Sequence, residues 1–170
     1  MADEQNLVFV TVGTTSFDRL VETASSPTIC EVFKRLGYKK LLLQIGRGEF
    51  EPETCSTGQF TVEYYRYKES IADDIRRASL VISHAGSGTT LEALQAGRHL
   101  IVVINEDLMG NHQFELAKQL AKDNHLYYST CSSLQDVLED QDLSNLVPFP
   151  PGNPKVFGSY MNSVMGLSDK

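Results

Sequence analysis

Several things are missing from this sequence, and each absence narrows what the chain can be. It has no excess of basic charge: the net charge is −7 over 170 residues. A general nucleic-acid binder needs a basic footprint, so that class is disfavoured, although a small local site could still hold a nucleotide. Long apolar runs are also missing. Residues 100–104 (LIVVI) are among the longest, far short of the roughly 20 residues that cross a bilayer. The opening MADEQN is acidic and polar, unlike a secretory signal. Cysteine is scarce and unpatterned. Cys30, Cys55 and Cys131 are odd in number and lack C-x-x-C spacing, which argues against a disulfide framework or a zinc site. They read as reduced cytosolic thiols, packed as small apolar residues. Repeats and low-complexity tracts are absent, and no acidic cluster suggests a metal site. Asp73 and Asp74 read as a solvated helix face.

What remains alternates regularly. Residues 7–12 (LVFVTV) form a β-branched run of the kind buried on both faces of a parallel sheet. Similar strands are predicted over 41–45, 60–67, 80–83, 99–105 and 126–129. Between them lie helical patterns over 17–24, 27–36, 70–78, 87 onward, 112–123 and 133–139. Thr14, Thr15 or Ser16 could cap the first of these, Pro27 opens the second and Gly37 stops it, and Ser132 or Ser133 could cap the last. Residues 49–59 read as a polar surface loop. PFPPGNP at 148–154 is a stiff turn, and 155–167 has apolar residues at four-residue spacing, a short helix. The expected fold is α/β, a single Rossmann-like doubly wound parallel sheet over 1–147, followed by a tail at 148–170. Such sheets bind ligands outside the carboxyl ends of their strands.

The chemistry concentrates in HAGSGTTLEALQAG, residues 84–97, which joins a buried strand to a helix. Gly86 and Gly88 let backbone approach a bound group. The helix that follows offers unpaired N–H groups at its positive end, a natural anion site, and Ser87, Thr89 and Thr90 add hydroxyls. The plain alternative is a capped helix with a glycine turn and no ligand. Glu92, read on the first turn, either complements the helix dipole or accepts hydrogen bonds from a ribose. Two other nucleotide motifs fail. Neither this loop nor the one after the first strand, Gly13-Thr-Thr-Ser-Phe, contains G-x-G-x-x-G, and the second strand ends Gln44-Ile-Gly-Arg, without the acidic residue that a dinucleotide ribose needs. There is no G-x-x-x-x-G-K-[ST] either.

With NHQ at 111–113 downstream, this stretch resembles the glycosyltransferase family 28 C-terminal domain, the donor half of GT-B glycosyltransferases. The likeness extends through VFVTVGTTSFDRLV at 8–21, LLLQIGRG at 41–48, YRYKESIADDI at 65–75, VVINEDLMGNHQFELAKQLA at 102–121 and PPGNP at 150–154. Within that family the chain is similar to the small subunits of eukaryotic two-component UDP-N-acetylglucosamine transferases of the dolichol pathway.

The resemblance implies roles. Gly13 and Thr14 would approach the donor diphosphate. His84, Gly86, Ser87, Gly88, Thr89 and Thr90 would hold its phosphates. Glu92 would bind the ribose, and Asn111, His112 and Gln113 would face the transferred sugar. For His112 and Gln113 the plain alternative is a solvent-facing helix start, and for His84 a structural residue tied to the loop. No catalytic base is assigned, because in such inverting enzymes the base comes from the other half, which also holds the acceptor. The implied activity is transfer of the second N-acetylglucosamine from UDP-GlcNAc to GlcNAc-diphosphodolichol, without cofactor or metal. It would need a membrane-anchored, acceptor-binding partner and take place on the cytosolic face of the endoplasmic reticulum, with the chain itself cytoplasmic. Phe157, Tyr160, Met161, Val164 and Met165 would be the docking surface. The alternatives are a non-catalytic nucleotide-sugar-binding regulator and a self-sufficient transferase. His99 and Gly110 depart from the family's usual residues, which bears on sugar choice before nucleotide binding.

Overall fold

The computed structural model describes residues 6–105 and 112–148. They form one seven-stranded sheet in the order β3-β4-β2-β1-β5-β6-β7. Its strands are β1 (Leu7–Thr11), β2 (Lys40–Gln44), β3 (Cys55–Ser56), β4 (Thr61–Tyr65), β5 (Leu80–His84), β6 (His99–Ile104) and β7 (Tyr127–Thr130). All pairings are parallel except β3 with β4. The helices are α1 (Asp18–Ala24), α2 (Pro27–Arg35), α3 (Ala72–Arg77), α4 (Ser87–Gln95), α5 (His112–Lys122) and α6 (Leu134–Asp140).

Both faces of the sheet are covered, which is why the central strands are apolar at every position rather than at alternate ones. Val8 and Val10 of β1 point to a layer with Leu20, Val32, Phe33 and Leu134, from α1, α2 and α6. Leu7 and Phe9 point to the opposite layer with Ile75, Ala93, Leu94 and Leu116, from α3, α4 and α5. The doubly wound α/β architecture is the one the alternation predicts. Strand order reverses at β1, whose chain successor β2 lies on one side and β5 on the other. This switch point leaves a crevice beyond the carboxyl ends of β1 and β5.

The structure corrects the sequence reading in several places. The 49–59 stretch contains β3, a two-residue antiparallel edge strand, too short to carry a periodic signal. None of Thr14, Thr15 and Ser16 caps α1. Its N-cap position is Phe17, without a side-chain bond, and the Thr15 hydroxyl instead donates to the Val12 carbonyl at 2.9 Å. Ser133 does hold the N-cap position of α6 but makes no side-chain cap bond; its Oγ accepts the Thr130 amide at 2.9 Å. Cys55 is exposed rather than packed. Asp73 is exposed, but Asp74 is buried at 1%, so the two do not share a solvated face. The tail reading over 149–170, with its docking residues, lies outside the described residues, as do Asn111 and Gly110.

Candidate functional site

The crevice at the switch point is an open cleft of about 420 Å³. One wall is the loop after β1 (Gly13, Thr14). The second is the end of β5 and the start of α4 (His84, Gly86, Gly88, Thr89, Glu92). The third is the segment between β4 and α3, residues 67–71, and Gln44 sits at the floor. Seven of the residues singled out from the sequence therefore meet in one place, although they come from two loops far apart in the chain.

The β1 loop is held by a buried amide. Gln44 Oε1 accepts from the Thr11 hydroxyl at 2.5 Å, the Val12 amide at 3.2 Å and the Gly13 amide at 2.9 Å. Its Nε2 donates to the carbonyls of Gly13 and Arg66, both at 2.7 Å. Gly13 has φ +67°, a left-handed conformation that glycine adopts without strain. A Cβ at Gly13 would lie 2.9 Å from Cε1 of His84, and one at Gly86 would lie 2.3 Å from its Nε2. The two glycines are therefore the walls between which the imidazole is slotted, a role that loop flexibility alone did not suggest. Burial lowers the His84 pKa below its ordinary value, and the nearby Thr11 carbonyl only partly opposes this. The ring is thus neutral at pH 7. Its Nδ1 is buried without a hydrogen-bond partner among the described residues.

Helix α4 opens at the cleft. Its N-cap, Gly86, is extended and makes no side-chain cap bond, so the first-turn N–H groups face outward as α-helical geometry leaves them. Nothing lies within 4 Å of where a Cβ on Gly88 would be, so backbone is bare at this point. Thr89 lines the cleft. Thr90 does not: it is buried, and its hydroxyl donates to the Gly86 carbonyl at 2.7 Å, which braces the loop from behind. Glu92 is the sixth residue of α4 and belongs to its second turn, not the first. The dipole effect fades within the first turn, so the dipole explanation for this carboxylate weakens. Its position on the cleft wall remains.

The third wall escaped the sequence reading. Residues 67–71 lie opposite the glycine loop, and Lys68 is tied down by Asp74. The Asp74 carboxylate takes hydrogen bonds from Tyr65 Oη at 2.6 Å and Lys68 Nζ at 3.0 Å, and from Arg77. Burial opposes its ionisation, but these three donors prevail and hold its pKa below the usual carboxylate value. The Lys68 ammonium also sits 4.3 Å from the centroid of the Tyr65 ring. Tyr65, Lys68 and Asp74 share no spacing that marks a site, and only the β4–α3 turn brings them together. Asn111 and the side chains of Ser87, His112 and Gln113 lie outside the described residues. His99 stands exposed at the first position of β6. Among the described residues no group of three His, Cys, Asp or Glu side chains is placed to hold a metal ion, and no helix is long and apolar enough to cross a membrane.

Comparison with known proteins agrees with this geometry. A human protein named UDP-N-acetylglucosamine transferase subunit ALG13 is 58% identical over 127 residues, covering 75% of this chain and 11% of that protein. This chain thus spans about a tenth of its human relative. An NMR solution structure of ALG13 superposes with a TM-score of 0.71 at 22% identity, over 94% of this chain and 96% of that one. The crystal structure of MurG from Acinetobacter baumannii gives 0.61 at 16% identity, over 98% of this chain and 46% of that one. The two structures share the fold of a GT-B glycosyltransferase domain. The glycosyltransferase family 28 C-terminal domain matches residues 7–156, the whole sheet and both loops of the cleft, and the chain belongs to that family.

Proposed function

We propose that this chain is the donor-binding, catalytic subunit of a two-component UDP-N-acetylglucosamine transferase that adds the second sugar to GlcNAc-diphosphodolichol. The observation that carries this reading is the cleft itself. It joins an uncapped helix N-terminus, bare backbone at Gly88 and a carboxylate on the next turn, all at the switch point of the sheet.

A nucleoside diphosphate suits this arrangement. Its phosphates would lie against Gly13, Thr14 and the N–H groups at the start of α4, with Glu92 accepting from the ribose hydroxyls. Charge develops on the departing diphosphate as the glycosidic bond forms. Preorganised N–H dipoles stabilise that charge more in the transition state than in the ground state. His84 is walled in by Gly13 and Gly86, so it shapes the phosphate site rather than activating the acceptor. The general base and the lipid-linked acceptor would come from a membrane-anchored partner on the cytosolic face of the endoplasmic reticulum. Asn111, His112 and Gln113 would face the sugar. The transfer would invert the anomeric centre and use no cofactor or metal.

The test is transfer of labelled N-acetylglucosamine from UDP-GlcNAc to GlcNAc-diphosphodolichol. It uses membranes that hold the anchored partner but lack their own small subunit, with and without this chain. Product only on addition supports the proposal. UDP binding and docking to the membranes without product would instead make the chain a non-catalytic nucleotide-sugar-binding regulator.

A further inference from the structure

The donor loop hangs on a residue at the cleft floor that has no N–H left to offer the donor. Gln44 sits at the end of β2, 2% exposed, and its amide is saturated. A carboxamide offers two N–H donors and one oxygen. Both donors are taken, by the carbonyls of Gly13 and Arg66, and three donors already converge on the oxygen. No N–H remains for a phosphate, so Gln44 cannot be a binding residue in its own right. Its partners are telling, because it grips Gly13 at both the amide and the carbonyl. Gly13 is the residue whose left-handed backbone forms one wall of the His84 slot. Through the Arg66 carbonyl the same amide also ties the start of the 67–71 wall.

We infer that Gln44 is a positioning residue for the donor site, holding the β1 loop, the His84 slot and the β4–α3 wall in one register. This rests on the proposed donor-binding reading. The plain competitor is a buried amide that merely stabilises the sheet end, and the structure argues against it. A residue serving only β2 would bond to its neighbouring strands. Four of these five bonds instead go to the ends of β1 and β4, past the last paired residues.

Gln44→Met keeps the length of the side chain and removes all five bonds. Thr11→Val is milder: it removes the hydroxyl that donates to Gln44 and accepts from the Gly13 amide at 3.2 Å, and valine suits a strand. Leu138→Ala, in α6 on the far side of the sheet, is the destabilised control. UDP affinity would be measured by calorimetry well below each variant's melting temperature, alongside hydrogen exchange at the Gly13 amide. The expected result is roughly a tenfold loss of UDP affinity for Gln44→Met and a smaller loss of about threefold for Thr11→Val. Gly13 exchange should be faster in both, while strand β5 amides stay protected and Leu138→Ala binds as wild type. Wild-type affinity in a folded Gln44→Met or Thr11→Val chain would overturn the inference and leave the donor reading standing. Failure of the wild-type chain to bind UDP at all would overturn both.

Discussion

Gly86 and Gly88 are two positions apart and do different work, which substitution can separate. A methyl on Gly86 would meet the His84 ring, so the ring must move. Gly86→Ala is expected to cost about 1–3 kcal/mol of stability and to impair UDP binding with it. Gly88→Ala meets nothing within 4 Å and replaces glycine inside a helix. It should leave stability unchanged or raise it by up to about 1 kcal/mol, yet weaken UDP binding, because its methyl points into the bare backbone the phosphates would use. Thermal melts and calorimetry on the pair check this, and equal UDP affinity for Gly88→Ala and wild type would count against phosphates at that helix start. Glu92→Ala is the companion case. On the second turn and exposed, it should alter stability little but lose about 1–3 kcal/mol of UDP affinity with its hydrogen bonds to ribose. His84 adds a pH dependence. A depressed pKa contributes stability that is present above the unfolded value, near about 6.5, and lost as pH falls through the folded value. The melting temperature should therefore begin to fall below about pH 6.5, and His84→Gln should remove that part of the decline.

The element whose behaviour depends most on one side chain is α3. It is six residues long, too short to hold by propensity alone, and its amphipathic pattern hides the fact that Asp74 is an interior group. Asp74 joins α3 to Tyr65 at the end of β4 and to Lys68 in the cleft wall. Asp74→Ala strands the half-buried Tyr65 hydroxyl and frees Lys68, at a cost of about 1–3 kcal/mol. The sign of its pH dependence follows from the lowered pKa. The stabilisation is present above the unfolded aspartate value, about 3.9, and is lost as pH falls through the folded one. Acid melts of wild type and Asp74→Ala should converge below about pH 4. If they stay parallel across that range, the carboxylate is not ionised in the fold as described. The short β3 strand and the uncapped start of α1 mark the opposite case, where local geometry is decided by neighbours rather than by the residues themselves.

At the scale of the whole molecule, ligand and fold are linked by mass action. A ligand at one hundred times its Kd stabilises the folded state by roughly 2.7 kcal/mol, or roughly 5–10 °C for a chain of this size. Saturating UDP should raise the melting temperature by that amount, while adenosine or inorganic phosphate at the same concentration should not. No shift with UDP would count against the donor cleft.

The sheet was legible from the residues alone because burial on both faces leaves β-branched runs unbroken, and glycine and proline signals such as Pro27 and Gly37 separate them from amphipathic helices. The glycine loop was legible for the same reason: its residues are contiguous, so the site is written in order. The cleft's third wall, the slot around His84, the interior place of Asp74 and the five-bond grip of Gln44 were not. They depend on contacts between residues 6 to 71 positions apart that the β4–α3 turn or the strand order makes, and a buried polar side chain has the same one-letter code as an exposed one. Local pattern set the elements and the order of the loops; which polar groups face one another was decided by the crossing of the sheet at β1 and by the turn from β4 into α3.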